Sequence, residues 1–158
     1  MEAEWERAAR GTTSRRYPWG DESPKGNNGF RANYFPDGGR PQDDGHPFTA
    51  RVDSFPGGAT PDGLFNLAGN VYEFCYDWYS GSYYGRAPQS NPIGPGVQAE
   101  GKSVRGGSHE HGGDDLRTVN RQIAPARWTY NWLGFRCAVT SLNDTETGRT
   151  TRTDDGRR

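Results

Sequence analysis

The stretch from Gly63 to Tyr79, GLFNLAGNVYEFCYDWY, places an amide and a carboxylate among aromatic and aliphatic residues. A carboxylate surrounded by rings is costly to bury unless a cation or hydrogen-bond donors pair with it. The Asn66 and Glu73 side chains, with backbone carbonyls of the turn between them, can supply oxygen ligands for calcium, which takes about six to eight. The alternative is that Asn66 caps the turn and Glu73 pairs with an arginine.

A second group of oxygen ligands occurs in the coil from Gly11 to Pro61. Asn33, Asp43 and Asp44 lie there in a glycine-rich loop. Two carboxylates and an amide in such a loop are ingredients of a calcium site, although solvated turns have the same composition. The coil is nearly all turn signals, so its backbone must be satisfied by side chains, water or ions.

The remaining residues with ligand chemistry are histidines and cysteines. His109, Glu110 and His111 are possible ligands of Fe(II) or Zn(II), but no third or fourth partner can be named, and a solvated polar loop is the alternative. Cys75 and Cys137 are far apart in sequence, and either a disulfide or two reduced thiols would fit. The chain has no Cys-x-x-Cys motif, which argues against a structural zinc site.

Composition limits the classes of protein that fit. The chain has 158 residues, of which 30% are hydrophobic and 13% aromatic, with 23 glycines and 11 prolines. This excludes a helical bundle and predicts one loop-rich domain whose core is built from rings. The net charge is −1 without a basic block, so no nucleic acid is expected as a partner. No long apolar run or signal-peptide pattern occurs, which predicts no membrane association and a cytoplasmic location, unless an upstream segment carries an export signal.

The pattern along the chain predicts a few short elements. We expect a helix over Met1 to Arg10 that stops at Gly11, and an extended segment in which Val71, Glu73, Cys75 and Asp77 face opposite to Tyr72, Phe74, Tyr76 and Trp78. Further strands are predicted at Arg51 to Phe55, at Lys102 to Ser108 and at Leu133 to Thr140. Residues 141–158 lack apolar anchors and are expected to be a disordered tail.

Three rings within six polar residues, at Arg127 to Trp132, indicate a recognition surface, although core packing would explain one or two of them equally well. With the polar stretch from His109 to Asp115 they form the candidate binding face. Arg105, Arg117, Arg121 and Arg136 are expected mostly to fasten the fold, because arginine offers five donors in a fixed fork.

The motifs EAEWERAARG, YPWG, VDSFP, GLFNLAGNVYEFCYDWY, VRGGS and LGFRC occur in an order that resembles the formylglycine-generating enzyme family, or sulfatase-modifying factors. The resemblance covers Glu2 to Val139. It implies an α+β fold, the irregular and loop-rich C-type-lectin-like fold, in a domain spanning residues 1–140. Relative to the family, the N-terminal part of that domain is absent, which implies a truncated or mis-set gene start, or a partner chain or homo-oligomer that completes the domain.

The resemblance also implies two structural calcium sites. One would use the side chains of Asn33 and Asp44 with the carbonyls of Tyr34 and His46. The other would use the side chains of Asn66 and Glu73 with the carbonyls of Gly69 and Val71. For Glu73 the resemblance therefore favours calcium over an arginine partner.

Catalysis does not carry over from the resemblance. Family members that make formylglycine use two cysteines shortly after the GGS motif to bind Cu(I), and in this chain His111 and Leu116 stand at those positions. Copper is therefore not expected, and whether the chain is an enzyme at all is uncertain, with a noncatalytic role favoured.

Three functions remain as hypotheses. The first is a noncatalytic, calcium-stabilised domain that binds a protein, peptide or glycan through the face at residues 109–132. A specific form of this hypothesis is a variable protein of a diversity-generating retroelement. The second is an oxidoreductase of the same family, acting on a protein cysteine or on sulfur, whose metal site another segment completes. The third is an inactive fragment. The ligand-binding residues in the first hypothesis are His109, Glu110, His111, Asp114, Asp115, Arg127, Trp128, Tyr130, Asn131 and Trp132.

Overall fold

The structure is a computed structural model that describes residues 1–40, 42–96 and 98–139. Thr140 and the predicted tail at 141–158 lie outside the described residues. The elements, in chain order, are helix α1 (Glu2–Arg10) and strands β1 (Lys25–Gly26), β2 (Gly29–Phe30), β3 (Tyr72–Trp78), β4 (Lys102–Arg105), β5 (Gln122–Ala124) and β6 (Leu133–Gly134). Single 3-10 turns lie at Pro56–Gly58, Tyr83–Gly85 and Gly113–Leu116. No described helix has the length and apolar character needed to cross a membrane.

Strand β3 is central in a four-stranded sheet of order β5-β4-β3-β6. It runs antiparallel to β4 and parallel to β6, which pairs with only its first two residues. The predicted alternation is confirmed, because Glu73, Cys75 and Asp77 are all buried on the side of α1, whereas Tyr76 on the other face is 78% exposed. The period of two therefore fixes which side chains meet the helix.

The core consists of three small clusters rather than one. Around Tyr17 and Tyr34 the packing is aromatic, as composition predicts, and around Trp5 it joins α1 to Cys75 of β3. The third cluster is centred on Tyr72. Gly69 allows its turn to pack against the backbone at Asn33, because a methyl group at Gly69 would lie 2.2 Å from the Asn33 carbonyl oxygen. Its φ of 75° is also a conformation that glycine adopts readily.

Two predicted strands differ from the structure. Residues 51–55 form a turn closed by a hydrogen bond from the Ser54 amide to the Arg51 carbonyl, so that segment is not a strand. The closing strand ends at Gly134, and two residues later the Arg136 side chain contacts the loop carbonyls before β3. β5, for which no strand was predicted, pairs with β4; three residues are too few to give a periodic signal.

Candidate functional site

Asn33 is a fully buried amide in the first predicted calcium set. Its Nδ2 donates to the Phe48 carbonyl at 2.7 Å and lies 3.3 Å from Oδ1 of Asn70. Its Oδ1 has no hydrogen-bond partner among the described residues. A buried polar atom without a partner costs about 1 to 3 kcal/mol, and a hard cation is one group that would satisfy this oxygen.

Asp44 lies beside Asn33, because its two carboxylate oxygens accept the backbone amides of Tyr34, at 3.2 Å, and His46, at 2.9 Å. Burial raises the pKa of Asp44, and those two amides only partly oppose the rise. The structure thus brings together the four residues of this set. A partly buried carboxylate and an unsatisfied buried amide oxygen fit a calcium ion.

The second set is arranged differently. Glu73 is 5% exposed, and both of its oxygens accept Nε–H of Arg136, at 2.7 and 2.8 Å, while Trp5 Nε1 donates to Oε2 at 2.7 Å. Arg136 Nη2 also donates to the carbonyls of Phe65 and Asn66. The alternative of an ion pair with an arginine is therefore the arrangement present here, and the guanidinium supplies the positive charge that calcium would bring. As arranged, this set does not fit a calcium ion.

This ion pair carries a stability prediction. Replacing Arg136 with methionine is expected to lower the free energy of unfolding by about 1 to 2 kcal/mol, because the variant loses hydrogen bonds to a charged group. The loss is at the low end for such bonds because the Arg136 side chain is 38% exposed and solvent screens the pair. Urea melts followed by circular dichroism, with calcium and with chelator, would measure it. Exposed Arg127→Met is the control, expected to melt like the wild type. A loss that calcium fully restores would instead place a calcium ion on Glu73.

The turn at Gly69 and Asn70 connects the predicted sites. The Asn70 amide donates to the Asn33 carbonyl at 2.8 Å, its Oδ1 accepts the Ala50 amide at 2.8 Å, and its own carbonyl accepts the His109 amide at 3.1 Å. Asn70 has a φ of 66°, a conformation that asparagine tolerates better than most residues. Sequence reasoning identified this turn but not its role in joining three loops.

Two residues of the predicted binding face, the buried His109 and the partly buried Asp115, are engaged in contacts within the protein. His109 is 1% exposed, and its Nδ1 lies 2.8 Å from the Asn70 carbonyl. Asp115 Oδ1 accepts the Tyr72 hydroxyl at 3.0 Å and Asn120 Nδ2 at 2.9 Å. The roles visible for His109 and Asp115 are therefore structural.

Asp114 is exposed but lies between two cations. Its Oδ1 is 3.6 Å from Arg16 Nη2 and 3.7 Å from Arg117 Nε. Such surface ion pairs contribute little to stability. Asp114 therefore contacts the loop that carries Arg16, whereas Glu110 contacts Asn131 in the loop that carries the rings.

A row of rings, here called the aromatic ridge, runs from the partly buried His111 and Trp132 to the exposed Tyr130 and Trp128. Tyr130 stacks on Trp132 with centroids 4.9 Å apart, and it meets Trp128 edge-on at 5.3 Å. His111 contacts Trp132 at 5.3 Å at the inner end of the row. Trp128 and Tyr130 are 42% and 48% exposed, so the outer end of the ridge is open to solvent.

Polar groups flank the ridge. Asn131 Nδ2 donates to Glu110 Oε1 at 3.1 Å, which joins the loop after the GGS motif to the loop that carries the rings. Both residues are exposed, and so is Arg127. The structure thus brings together most of the predicted face: Glu110, His111, Arg127, Trp128, Tyr130, Asn131 and Trp132.

The positions aligned with the family's catalytic cysteines hold no thiol. His111 Nδ1 lies 2.6 Å from the Ser108 hydroxyl, and burial lowers the pKa of His111, which favours the neutral ring. Leu116 is fully buried in the aromatic core cluster. Cys75 is on β3, where burial raises the pKa of its thiol to about 12, and Cys137 is exposed. Within the described residues, no three His, Cys, Asp or Glu side chains cluster in a way that would hold a metal.

Comparisons with known proteins agree with this architecture. The chain is 43% identical over 146 residues to a formylglycine-generating enzyme of Streptomyces coelicolor, a match that covers 87% of this chain and 45% of that protein. A serine/threonine-protein kinase pkn1 of Chlamydia caviae is 39% identical over 140 residues, which is 20% of its length. The chain thus spans less than half the length of these relatives.

Two solved structures share the fold. Treponema denticola variable protein 1 matches with a TM-score of 0.69 and 29% identity, over 85% of this chain and 44% of that one. PvdO from Pseudomonas aeruginosa matches with a TM-score of 0.66 and 28% identity, over 85% and 49%. The expected fold class, an irregular C-type-lectin-like fold with little regular structure, is confirmed. The sequence model of the family described as the sulfatase-modifying factor enzyme 1-like domain matches residues 1–141, and the chain belongs to that family.

Proposed function

We propose that this chain is a noncatalytic, calcium-stabilised domain that binds a protein or peptide through the aromatic ridge and the polar residues beside it. The observation that carries the proposal is a row of contacting rings on irregular loops, whose outer members Trp128 and Tyr130 are exposed to solvent. Exposed tryptophan and tyrosine give a large contact area at small entropic cost. Contiguous exposed apolar groups on a soluble protein mark interaction sites.

The geometry of the rings favours a polypeptide over a glycan. One face of Tyr130 lies against Trp132, and Trp128 meets Tyr130 at 81°. The ridge therefore offers ring edges and clefts as well as ring faces, a mixed surface that suits the varied side chains of a polypeptide. Glu110, Asn131 and Arg127 add donors and acceptors that can pair with backbone amides and charged side chains.

The chemistry of the loop after the GGS motif supports a role without catalysis. A soft Cu(I) ion prefers thiolate ligands, and the aligned positions carry an imidazole and a buried leucine. The oxidoreductase alternative would need its metal ligands from another segment. It predicts stoichiometric copper or iron in the purified protein, whereas the binding proposal predicts calcium alone.

Calcium would hold the loop from Asn33 to His46 in place. The ion would use the side chains of Asn33 and Asp44 with the carbonyls of Tyr34 and His46. Its charge would satisfy the unpartnered Asn33 Oδ1 and the partly buried Asp44 carboxylate. The Asn33 carbonyl accepts the backbone amide of Asn70, whose own carbonyl accepts the backbone amide of His109. The ion would therefore also stabilise the turn at Asn70.

The likeness to a variable protein suggests a more specific form of the proposal, in which the chain is a display protein of a diversity-generating retroelement. In that form, gene copies differ between residues 109 and 132 at the exposed positions Glu110, Arg127, Trp128, Tyr130 and Asn131. The buried His109 and Leu116 stay fixed, since changes there would disturb the core.

The test is selection of a phage-displayed random peptide library on the whole chain. Peptides selected on the wild type should bind a Trp128→Ser, Tyr130→Ser variant at least about 30-fold more weakly, the loss of one hot-spot contact of about 2 kcal/mol. Val119→Ser, Ile123→Ser is the matched control, because both side chains are apolar, similarly exposed and outside the ridge.

Equal binding by the ridge variant and the wild type would contradict the proposal. If the wild type binds glycans on an array and the ridge variant does not, the aromatic ridge is still the binding surface, but the ligand is a glycan. Copper or iron at one equivalent per chain would favour the oxidoreductase.

A further inference from the structure

Phe48 is an exposed ring outside the aromatic ridge. Its side chain is 66% exposed, more than the 42% and 48% of Trp128 and Tyr130 at the outer end of the ridge. The ring meets the buried His109 edge-on, with the two ring centroids 6.5 Å apart. Single exposed apolar residues are ordinary, so what matters is where Phe48 lies and how it is held.

The backbone around Phe48 is fixed by two asparagine side chains. Nδ2 of the buried Asn33 donates to the Phe48 carbonyl at 2.7 Å. Two residues later, the Ala50 amide donates to Oδ1 of Asn70 at 2.8 Å, and Asn70 Nδ2 donates to the Ala50 carbonyl at 3.4 Å. An aromatic side chain on a backbone that is already ordered costs little entropy when it contacts a ligand. Phe48 therefore has the properties of an anchor in a binding surface.

His109 connects Phe48 to the ridge. Its ring contacts the Phe48 ring, and its Nε2 lies 3.7 Å from Oε1 of Glu110. The same Oε1 accepts Nδ2 of Asn131, in the loop that carries the rings, at 3.1 Å. These contacts run without a break from Phe48 to the loop of the ridge, so one extended ligand can cover both.

Glu110 gives this surface a negative charge that the described residues do not balance. Its side chain is 46% exposed, and within the described part of the chain it makes no ion pair with a lysine or arginine, the exposed Arg127 included. Nδ1 of His109 lies 2.8 Å from the Asn70 carbonyl, which can only accept, so in the neutral ring the Nε2 beside Glu110 is an acceptor as well. A ligand that contacts Glu110 must therefore supply donors, and a cationic donor gives the strongest hydrogen bond.

We propose that the ligand-binding surface extends from the aromatic ridge across Glu110 to Phe48, and that it takes a polypeptide with a lysine or arginine against Glu110 and an apolar side chain against Phe48. The inference rests on the proposed function and narrows its ligand to a polypeptide that carries this pair of groups. The cation of the ligand balances the Glu110 carboxylate, and the apolar side chain covers part of the Phe48 ring. Complementary charge of this kind contributes to specificity and to the rate of association.

The test begins with peptides selected on the wild-type chain from a phage-displayed random library. The selected sequences should be enriched in lysine or arginine at a fixed spacing from an apolar residue, relative to the unselected library. Selection on Glu110→Gln should lose the basic preference, and selection on Phe48→Ser should lose the apolar one. Glutamine keeps an oxygen that can accept Asn131 Nδ2, so the contact between the two loops is preserved.

Affinities of one selected peptide then give the size of each contact. Phe48→Ser should weaken binding about tenfold, and Glu110→Gln about three- to fivefold with a shallower dependence on salt. A peptide whose basic residue is replaced by glutamine should bind the wild type more weakly, with no further loss on Glu110→Gln, because a double-mutant cycle isolates the pair.

Ile93→Ser and Glu100→Gln are the matched controls and should bind like the wild type. Ile93 is 60% exposed, close to the exposure of Phe48, and Glu100 is an exposed carboxylate. Both lie near the opposite end of β3 from the ridge, since the neighbouring Gly94 packs on Asp77 and the neighbouring Gly101 carbonyl accepts the Tyr79 amide.

Two results would overturn the inference. If Phe48→Ser and Glu110→Gln bind like the wild type while the Trp128→Ser, Tyr130→Ser variant loses binding, the proposed function stands with the ridge alone as its surface. Enrichment in acidic residues would show that the ligand charge is opposite to the one inferred.

The failure of the proposed function looks different. Loss of binding in Phe48→Ser and Glu110→Gln, with normal binding by the ridge variant, would support the surface at Phe48 and Glu110 and contradict the ridge. A library that yields no binder to a chain that melts cooperatively would contradict both proposals.

Discussion

Replacing Arg105 with alanine is expected to lower the free energy of unfolding by about 3 to 5 kcal/mol, because removing one partner of a buried ion pair leaves the other groups unsatisfied. A domain of ordinary stability has only about 5 to 15 kcal/mol in total, so much of the protein would be unfolded or melt at a far lower temperature. Arg105 is 0% exposed.

The contacts of Arg105 explain the size of the effect. Its guanidinium donates to the carbonyls of Thr118, Val119 and Asn120 at 2.9, 3.2 and 2.7 Å, and it pairs with the Glu6 carboxylate. One side chain thereby joins β4, helix α1 and the segment that leads into β5. β4 and β5 also pair along their backbones, whereas α1 is joined to both through side chains, so losing the fork weakens chiefly the attachment of the helix.

Two controls define what the Arg105 measurement means. Arg105→Lys keeps the charge but lacks the planar fork, and its urea midpoint should lie between those of the wild type and the alanine variant. Arg51→Ala removes an exposed ion pair with Asp53 and should not change the midpoint measurably. An alanine variant that melts with the wild type would show that α1 is held mainly by Trp5 and its apolar neighbours.

Local sequence was enough to predict the elements with a strong periodic signal. α1 begins and ends within one residue of the predicted bounds, and β3 has the predicted faces, because helix formers before Gly11 and alternation after Asn70 act over neighbouring residues. Strands of two or three residues, such as β5 and β6, form only because β4 and β3 provide partners. Their hydrogen bonds depend on contacts far apart in sequence, which no local pattern contains.

The candidate site shows the same division. The rings at 128–132 were identifiable because three aromatics in a polar segment are unusual on a surface. The burial of His109 was not, since it depends on the Asn70 carbonyl and the Phe48 ring, which come from two distant loops. Likewise, sequence could not identify Arg136 as the partner of Glu73, because the two residues are 63 positions apart and meet only in the folded chain.

Saturating calcium is expected to stabilise the chain by about 2.7 kcal/mol at a concentration one hundred times Kd, because a ligand bound only by the native state contributes RT ln(1 + [L]/Kd). The proposed ligands are Asn33 and Asp44 with two carbonyls. Thermal melts with calcium and with chelator measure the increment directly.

The increment should also depend on pH. Burial raises the pKa of Asp44 in the folded state, so in calcium-free buffer its protonated form favours folding at low pH, and that contribution is lost as the pH rises through the raised pKa. Calcium needs the ionised carboxylate. The calcium increment should therefore be small near the ordinary carboxyl pKa, about 4, and largest at neutral pH.

Two variants assign the ion to one set of ligands. Asp44→Asn should abolish the increment at neutral pH, while its calcium-free melt changes by no more than about 1 kcal/mol, since asparagine can still accept one of the two backbone amides. Asn66→Gly removes a side chain of the other set, and glycine tolerates the φ of 52° found there, so the increment should persist. The reverse result would place calcium beside Glu73, and Arg136 would then have to move, because its guanidinium now contacts the Glu73 oxygens and the Asn66 carbonyl that the ion would approach.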